Sequence, residues 1–381
     1  MLKKYYLLSP GPTPVPETVL AKAALPIIHH RTEEFSNIFM EMTEGMKYVF
    51  QTKNDVYTLT CSGTGAMESA VTNLFSPGDK VLVIVGGKFG ERWGQICKAY
   101  GVNAIEIPVE WGCAYPAEEL EKALKANPDA KAILCQLSET STGAVYDIEG
   151  FAKVVGKTDA ILVVDGISGL GATPCPMDQW GVNVLLTGSQ KSLMIPPGLA
   201  FISFDDKAWK LVEASKLPKF YFDMKKARKN LAKKTTPWTP GVTLVIQQLE
   251  ALKIIKEQTM EGILEHHRIL ADAVRAGVKA IGLELFATAP GNILTSVKTP
   301  KGVDGNALVK TMQKKYMAYI AGAQEPRKGE FFRLAHLGYM SGFEMIIMIS
   351  ALEMTLKDLG YPVTMGAGVA ATQKVLQEEW K

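Results

Sequence analysis

The chain has 381 residues, more than one hydrophobic core usually accommodates, so we expect two domains. Lysine and arginine together number 42 and aspartate and glutamate 39, which gives a net charge of +3. This near balance gives no electrostatic reason to expect nucleic acid or an anionic membrane as a partner. No apolar run approaches the ~18 residues that a membrane-spanning helix needs.

The N-terminus and the cysteines are typical of a cytoplasmic protein. The apolar stretch near the start is too short for a secretory signal, and prolines follow it at once. The five cysteines are an odd number, widely spaced, and include no C-x-x-C pair. We therefore expect a cytoplasmic location, no disulfide framework and no metal site.

From about residue 55 the sequence alternates short β-branched runs with helical stretches. The predicted strands are 56–61, 80–85, 104–108, 132–136, 160–165, 184–187 and 199–203. The predicted helices are 65–75, 90–100, 117–126 and 150–157. This alternation favours an α/β fold with a mainly parallel, seven-stranded sheet flanked by helices.

The pattern changes after residue 203. A basic, helix-like stretch at 207–234 precedes a long helix at 242–257. Beyond it, predicted strands at 281–286, 292–297 and 331–337 accompany helices at 306–316 and 342–359. We divide the chain into an N-terminal segment (1–20), a large domain (21–258) and a smaller C-terminal α+β domain (259–381).

Two charged residues stand at or just beyond the ends of successive predicted strands. Asp165 ends the strand 160–165, and Lys191 follows the strand 184–187. Taken alone, each has an ordinary interpretation, a turn acid or a solvated lysine. Four apolar residues before Asp165 favour burial, however, and a buried carboxylate needs a partner. Ligands of such sheets bind beyond the carboxyl ends of the strands. An acid on a ring nitrogen and an amine on a ring aldehyde indicate pyridoxal phosphate.

A glycine turn, Ser62-Gly-Thr-Gly-Ala-Met-Glu68, follows a strand and opens a helix. This geometry turns free backbone N–H groups towards a phosphate. It does not match a dinucleotide fingerprint, because Glu68 occupies the third glycine position. A turn that only starts a helix is the alternative, and the Asp165 and Lys191 pair makes a phosphate site the favoured one.

Arg333 lies in a predicted strand among apolar residues. A buried arginine usually pairs with an anion, and its planar guanidinium binds a carboxylate through two hydrogen bonds. A structural ion pair is the alternative interpretation.

These residues belong to segments that together resemble class-V, fold-type I pyridoxal phosphate aminotransferases of the alanine/serine–glyoxylate branch. The resemblance extends over nearly the whole chain, and the order and spacing of the segments make it specific. The matching segments are 9–14, 30–35, 62–68, 139–143, 164–165, 188–191, 196–198 and 332–334.

The resemblance implies a role for each matched residue. Lys191 would be the Schiff-base lysine, Asp165 the partner of the pyridine nitrogen, and Arg333 the residue that binds the substrate carboxylate. Phe89, where tryptophan is common in the family, would stack on the ring, and Thr140 would place a hydroxyl near it. The residues implied for the cofactor phosphate are Ser62, Gly63, Thr64 and Gln190.

The resemblance also implies a homodimer with shared active sites, and it places the N-terminal segment near the site. Thr239 matches a residue that reaches the phosphate of the neighbouring subunit, whereas Thr236 replaces a tyrosine of some relatives. A proline-bounded linker is the alternative for this segment. We assign no catalytic role to His29 and His30.

The expected reaction is transamination between a small amino acid and a 2-oxo acid by a ping-pong mechanism, of the alanine–glyoxylate, serine–glyoxylate or serine–pyruvate type. No second basic residue is placed to bind a side-chain carboxylate, which favours alanine or serine as donor. Other chemistry on this fold, by a lyase or decarboxylase, is an alternative, and so is a non-catalytic subunit of a larger complex. Cysteine desulfuration is disfavoured, because it needs a nucleophilic thiol in the C-terminal half of the chain and the last cysteine is Cys175.

Overall fold

A computed structural model describes residues 4–379; residues 1–3 and 380–381, at the outer ends of the predicted N-terminal segment and C-terminal domain, lie outside the described residues. The strands are β1 (Tyr6–Leu7), β2 (Val56–Leu59), β3 (Lys80–Val85), β4 (Asn103–Pro108), β5 (Ala132–Gln136), β6 (Ser138–Glu139), β7 (Ala144–Val145), β8 (Ile161–Asp165), β9 (Val184–Gly188), β10 (Ala200–Phe204), β11 (Leu294–Lys298), β12 (Ala318–Tyr319), β13 (Ala321–Gly322) and β14 (Phe331–Ala335).

The helices separate these strands along most of the chain. They are α1 (Glu17–Ala21), α2 (Glu33–Phe50), α3 (Gly63–Leu74), α4 (Lys88–Ala99), α5 (Ala117–Ala126), α6 (Ile148–Val155), α7 (Met177–Trp180), α8 (Asp206–Ala214), α9 (Met224–Leu231), α10 (Val242–Gln258), α11 (Met260–Ala280), α12 (Gly305–Tyr316), α13 (Gly342–Asp358) and α14 (Ala367–Glu379).

The central sheet has seven strands in the order β2-β10-β9-β8-β5-β3-β4. Strand β10 is antiparallel to both of its neighbours, and the other pairs are parallel. Strands β2, β3, β5, β8 and β9 therefore run in one direction, and their carboxyl ends meet at one edge of the sheet. The predicted mainly parallel, seven-stranded sheet flanked by helices is confirmed.

Strands β5, β8 and β9 are buried along their whole length, as expected for central strands covered on both faces. Helix α3 packs against β9 and β10, and α4 packs against β3, β4 and β5. One core cluster includes these elements and α2 and α10. A second core cluster is formed mainly by residues from Leu270 to Leu376. The boundaries at residues 20 and 258 stay predictions.

The second core surrounds an antiparallel sheet in the order β11-β14-β13. The predicted strand at 281–286 is wrong. Ile281 is the C-cap of α11, Gly282 adopts a φ of +77°, and Leu285 forms an isolated bridge to Val297. Apolar residues of this stretch fill the core while the backbone turns, so the composition is that of a strand but the pairing is limited to the two hydrogen bonds on either side of Leu285.

Two long helices, α2 and α11, were not predicted. Helix α11 follows α10 with a single residue between them, Thr259, which has a φ of +61° and accepts a hydrogen bond from Gly262 N at 3.1 Å. The basic stretch at 207–234 forms two helices, α8 and α9, rather than one. No helix within 4–379 combines the length and apolarity that crossing a bilayer requires, and the cytoplasmic location stays a prediction.

Candidate active site

Segments that carry five of the predicted site residues leave the same edge of the central sheet, whereas Arg333 lies in β14 of the second sheet. Ser62 follows β2, Phe89 follows β3, Thr140 follows β5 and β6, Asp165 ends β8, and Lys191 follows β9. Because these strands run in one direction, their carboxyl ends deliver the side chains to a common place. The structure thus places these five residues at one edge of the sheet.

The glycine turn and Gln190 lie next to each other at this edge. A Cβ atom placed on Gly188 would lie 3.2 Å from Gln190 Oε1 and 3.6 Å from Gly63 Cα. Gln190 Oε1 is buried and has no hydrogen-bond partner among the described residues. Ser62 is the N-cap of α3, yet its hydroxyl makes no capping bond. The first N–H groups of a helix, the Ser62 hydroxyl and the Gln190 Nε2 group, which makes no hydrogen bond within the described residues, are donors that suit an anion.

Asp165 is buried, with 5% of its surface exposed. Within the described residues its carboxylate accepts one hydrogen bond, from Ile167 N to Oδ1 at 2.8 Å. Burial raises the pKa of Asp165 to about 7, and the bond from Ile167 opposes this rise. A cationic partner such as a protonated ring nitrogen would stabilise the ionised carboxylate at this position.

Lys191 Nζ donates a hydrogen bond to the carbonyl oxygen of Pro10 at 2.5 Å. Burial, and after it the positive charge of Arg333, lower the pKa of this amine to about 8. A lysine with such a pKa supplies a substantial fraction of neutral, nucleophilic amine near neutral pH.

Arg333 is 7% exposed, and its three hydrogen bonds all go to backbone carbonyls. Nη1 donates to Thr140 O at 2.9 Å, and Nε and Nη2 donate to Gly322 O at 3.1 and 2.8 Å. Burial lowers its pKa to about 10. No carboxylate within residues 4–379 forms an ion pair with it, so the alternative of a structural ion pair is not what the structure has.

Two further residues contact the predicted set. Thr140 Oγ1 donates to Ser168 Oγ at 2.6 Å. The Arg92 guanidinium lies 4.8 Å above the Phe89 ring, and its Nη1 donates to Thr64 Oγ1 at 3.0 Å. Sequence reasoning missed Arg92, although its spacing of three residues from Phe89 places both on one face of α4. Pro10 lies in the matching segment 9–14, but nothing in the sequence indicated that its carbonyl oxygen contacts Lys191.

Some predicted residues are not part of this cluster. Thr239 is exposed and its hydroxyl has no hydrogen bond within the described residues. Thr236 is buried and donates to Trp238 O at 2.7 Å. His29 lies in an exposed loop, where Nδ1 accepts a hydrogen bond from Arg31 N at 3.3 Å. Residues 4–379 contain no group of three or more His, Cys, Asp or Glu side chains that could hold a metal ion.

The described residues match the chemical groups of pyridoxal phosphate. The Ser62 turn and the Gln190 amide nitrogen suit its phosphate, Asp165 suits its ring nitrogen, and Lys191 suits its aldehyde. The half-buried Phe89 side chain offers a ring face beside them.

Comparison with known sequences supports this assignment. The sequence profile of the class-V aminotransferases matches residues 5–324. The chain is 42% identical to the small subunit of a soluble hydrogenase from Synechococcus sp. (strain PCC 6716), over 99% of each chain. It is 35% identical to L-aspartate–glyoxylate aminotransferase from Paracoccus denitrificans, over 96% of this chain and 94% of that protein. It is 32% identical to serine–glyoxylate aminotransferase from Methylorubrum extorquens, over 98% and 96%.

Solved structures agree with the sequence relatives. Ureidoglycine–glyoxylate aminotransferase from Bacillus subtilis superposes with a TM-score of 0.93 at 25% identity, covering 99% of both chains. Alanine–glyoxylate aminotransferase from Nostoc sp. superposes with a TM-score of 0.89 at 27% identity, covering 93% of this chain and 96% of that one. The predicted family, fold type and cofactor are confirmed. This chain belongs to the class-V aminotransferases, fold-type I enzymes that use pyridoxal phosphate.

Proposed function

We propose that this enzyme transfers the amino group of alanine or serine to glyoxylate or pyruvate. The observation that carries the proposal is the juxtaposition of Lys191 and Arg333. Lys191 is an amine whose pKa is lowered in part by the charge of Arg333. Arg333 is a buried guanidinium that has no carboxylate partner within residues 4–379. A carboxylate-binding group beside a nucleophilic amine suits an α-amino acid.

Arg333 has the donors that a carboxylate requires. A guanidinium carries five N–H groups, and three of them are used by the carbonyls of Thr140 and Gly322. One N–H group is left on each terminal nitrogen, which is the pair that binds a carboxylate through two parallel hydrogen bonds. Arg333 would thus fix the α-carboxylate of the donor.

Lys191 would hold the cofactor covalently and, once the substrate displaces it, would move the α-proton as general base and acid. Pyridoxal phosphate supplies the electron sink that makes this proton removable. Asp165 would keep the ring nitrogen protonated, and the ion pair would offset the cost of burying the carboxylate.

The remaining predicted residues would hold the cofactor in place. Phe89 would stack on the ring, and the Thr140 hydroxyl would lie near its substituents. The phosphate would be bound by Ser62, Gly63, Thr64 and Gln190.

A neutral donor is supported by how the site's cations are used. Arg333 serves the α-carboxylate, and Arg92 is hydrogen-bonded to Thr64 and stacked on Phe89. A donor with a second carboxylate would need to displace one of these contacts. Because one relative is named as acting on aspartate and another on serine, the choice requires a direct test.

We also propose a homodimer with shared sites, in which Thr239 reaches the cofactor phosphate of the partner subunit. Its exposed hydroxyl has no hydrogen bond to the described residues, whereas the hydroxyl of Thr236 is already bonded to Trp238 O. Thr236 is therefore left without that role.

The test is a screen of the purified enzyme with alanine, serine and aspartate, each with glyoxylate or pyruvate. Loss of the cofactor's visible absorption with donor alone reports the first half-reaction, and parallel double-reciprocal plots report ping-pong kinetics. Faster turnover with aspartate than with either neutral donor would contradict the substrate assignment. Product formed from the donor without any acceptor would indicate a lyase instead.

A second candidate is a subunit of a larger enzyme complex, because a relative at 42% identity is named as a hydrogenase subunit. The same purified chain tests it. Turnover by this chain alone would show that no other protein is needed for transamination.

A further inference from the structure

Glu139, the last residue of β6, is a fully buried carboxylate between helix α4 and the site. We infer that Glu139 is a positioning residue that fixes Phe89 relative to Arg333 by capping α4 from outside that helix. The inference rests on the proposed roles of Phe89 and Arg333.

The N-terminus of α4 is capped by a different segment of the chain. Its own N-cap residue, Gly87, has no side chain to offer. Glu139 Oε1 accepts a hydrogen bond from Phe89 N at 3.4 Å, and Oε2 accepts one from Gly90 N at 2.9 Å. Ser141 Oγ accepts one from Lys88 N at 2.9 Å. The first N–H groups of α4, which have no partner within the helix, are thus bound by residues 139 and 141.

Glu139 is held in place by donors only. Besides the two amides of α4, its Oε1 accepts from Ser141 N at 3.0 Å and from Ser141 Oγ at 2.5 Å. Burial raises the pKa of Glu139, and these four hydrogen bonds oppose the rise. A carboxylate with donors on both oxygens at a helix N-terminus is stabilised in its ionised form.

Thr140, which lies between Glu139 and Ser141, is bonded to the other half of the site. Thr140 O accepts the hydrogen bond from Arg333 Nη1, and Thr142 O accepts one from Ser296 Oγ of β11 at 2.6 Å. Residues 139–142 are therefore bonded at one end to the helix that carries Phe89 and at the other to β11 and β14. Displacing Glu139 would change the position of Phe89 and of Arg333 together.

The negative charge of Glu139 also acts on Arg333 at a distance. It raises the pKa of Arg333, against the effect of burial, without forming a hydrogen bond to it. The guanidinium keeps its charge, and its two remaining N–H groups stay available for a substrate carboxylate.

Glu353 provides a matched control. It is equally buried and accepts hydrogen bonds from Gly366 N and Gly368 N, both at 2.7 Å, so it caps α14 in the same manner within the second core. E139Q and E353Q each place an amide N–H₂ group against backbone donors, and both should lower the Tm.

The experiment measures cofactor Kd, from reconstitution of the full-length protein, and KM for the amino donor. E139Q should weaken cofactor binding and raise KM, by up to about 100-fold, because small displacements of reacting groups are costly. E353Q should leave both values unchanged. Equal values for E139Q and wild type, or equal effects of E139Q and E353Q, would overturn the inference.

S141A tests the same cap if E139Q does not fold. It removes the acceptor for Lys88 N and should shift Kd and KM in the same direction by a smaller factor; unchanged values would contradict the inference.

R333K and F89A separate the inference from its premise. If these two variants leave KM and Kd unchanged, the proposed function fails. If they act while E139Q and S141A do not, only the role of Glu139 fails.

Discussion

Lys191 Nζ and the carbonyl oxygen of Pro10 are joined by a 2.5 Å hydrogen bond, although 181 positions separate the two residues. Thr13 reinforces this contact, since its Oγ1 donates to Lys191 O at 3.0 Å. The N-terminal segment therefore covers the amine that we propose attaches the cofactor, and it contributes to the burial that lowers the pKa of that amine.

Gly11 is the residue through which this cover can be tested. It has a φ of +139°, and a Cβ atom at this position would overlap Lys191 Nζ. G11A should therefore displace the Lys191 amine and reduce both cofactor attachment and turnover. G78A is the control, because Gly78 has a φ of +83° and no atom of residues 4–379 lies within 4 Å of its Cβ position. Both variants should lose roughly 1–3 kcal/mol of unfolding free energy through backbone strain. Equal turnover in the two would show that Gly11 matters only for stability.

Lys191 should be the single point of covalent attachment. Borohydride reduction of the loaded wild-type enzyme, followed by peptide mass spectrometry, should place the cofactor on the peptide that contains Lys191. K191A should show no label and should lose turnover by about 10²–10⁴-fold or more, the usual contribution of a general acid–base group. K219A is the control, because burial also lowers the pKa of Lys219, which is bonded to Thr72 O and Ser215 Oγ. Labelling of K191A at another lysine would reject the assignment.

The residues that the sequence identified are those whose local pattern carries the information. Asp165 ends the apolar strand β8 and Lys191 comes three residues after β9, and the parallel pairing brings the ends of these strands together. Glu139, Arg92 and Pro10 act through contacts that the local pattern does not encode. Glu139 lies 50 positions from Phe89, and only the folded chain places them together.

The same distinction explains the errors in secondary structure. At 281–286 the apolar residues that predicted a strand pack in the second core. Whether the backbone there forms a strand depends on its pairing partners, which only the tertiary structure supplies. Helices α10 and α11 are separated only by Thr259, whose positive φ is not marked by a glycine or a proline.

The lowered pKa of Lys191 predicts how cofactor attachment depends on pH. The neutral amine is the reactive form, so the attachment rate of the cofactor-free full-length protein should rise with pH through about 8. The charge of Arg333 disfavours the protonated amine, so R333Q should raise this pKa and move the midpoint to higher pH. R275Q is the control, because Arg275 is a half-buried arginine that donates to Gly291 O and pairs with Asp272. A midpoint near the ordinary lysine pKa of 10.5 in wild type would contradict the prediction.

Thr239 predicts complementation between two defective chains. T239D should repel the cofactor phosphate by like charge, and K191A should remove the attaching amine, so each homodimer should be nearly inactive. If Thr239 serves the partner's site, a mixed dimer contains one site with both defects and one with neither. Mixing the two variants under conditions that exchange subunits should then restore up to one intact site per mixed dimer, measured as turnover that rises with the fraction of mixed dimers. If Thr239 acts within its own chain, every site in the mixed dimer has one defect and activity stays at the level of the parents. T236D mixed with K191A is the control. Because the Thr236 hydroxyl is bonded to Trp238 O within its own chain, T236D should change activity only through the stability of that chain. The turnover of that mixture should therefore not rise with the fraction of mixed dimers.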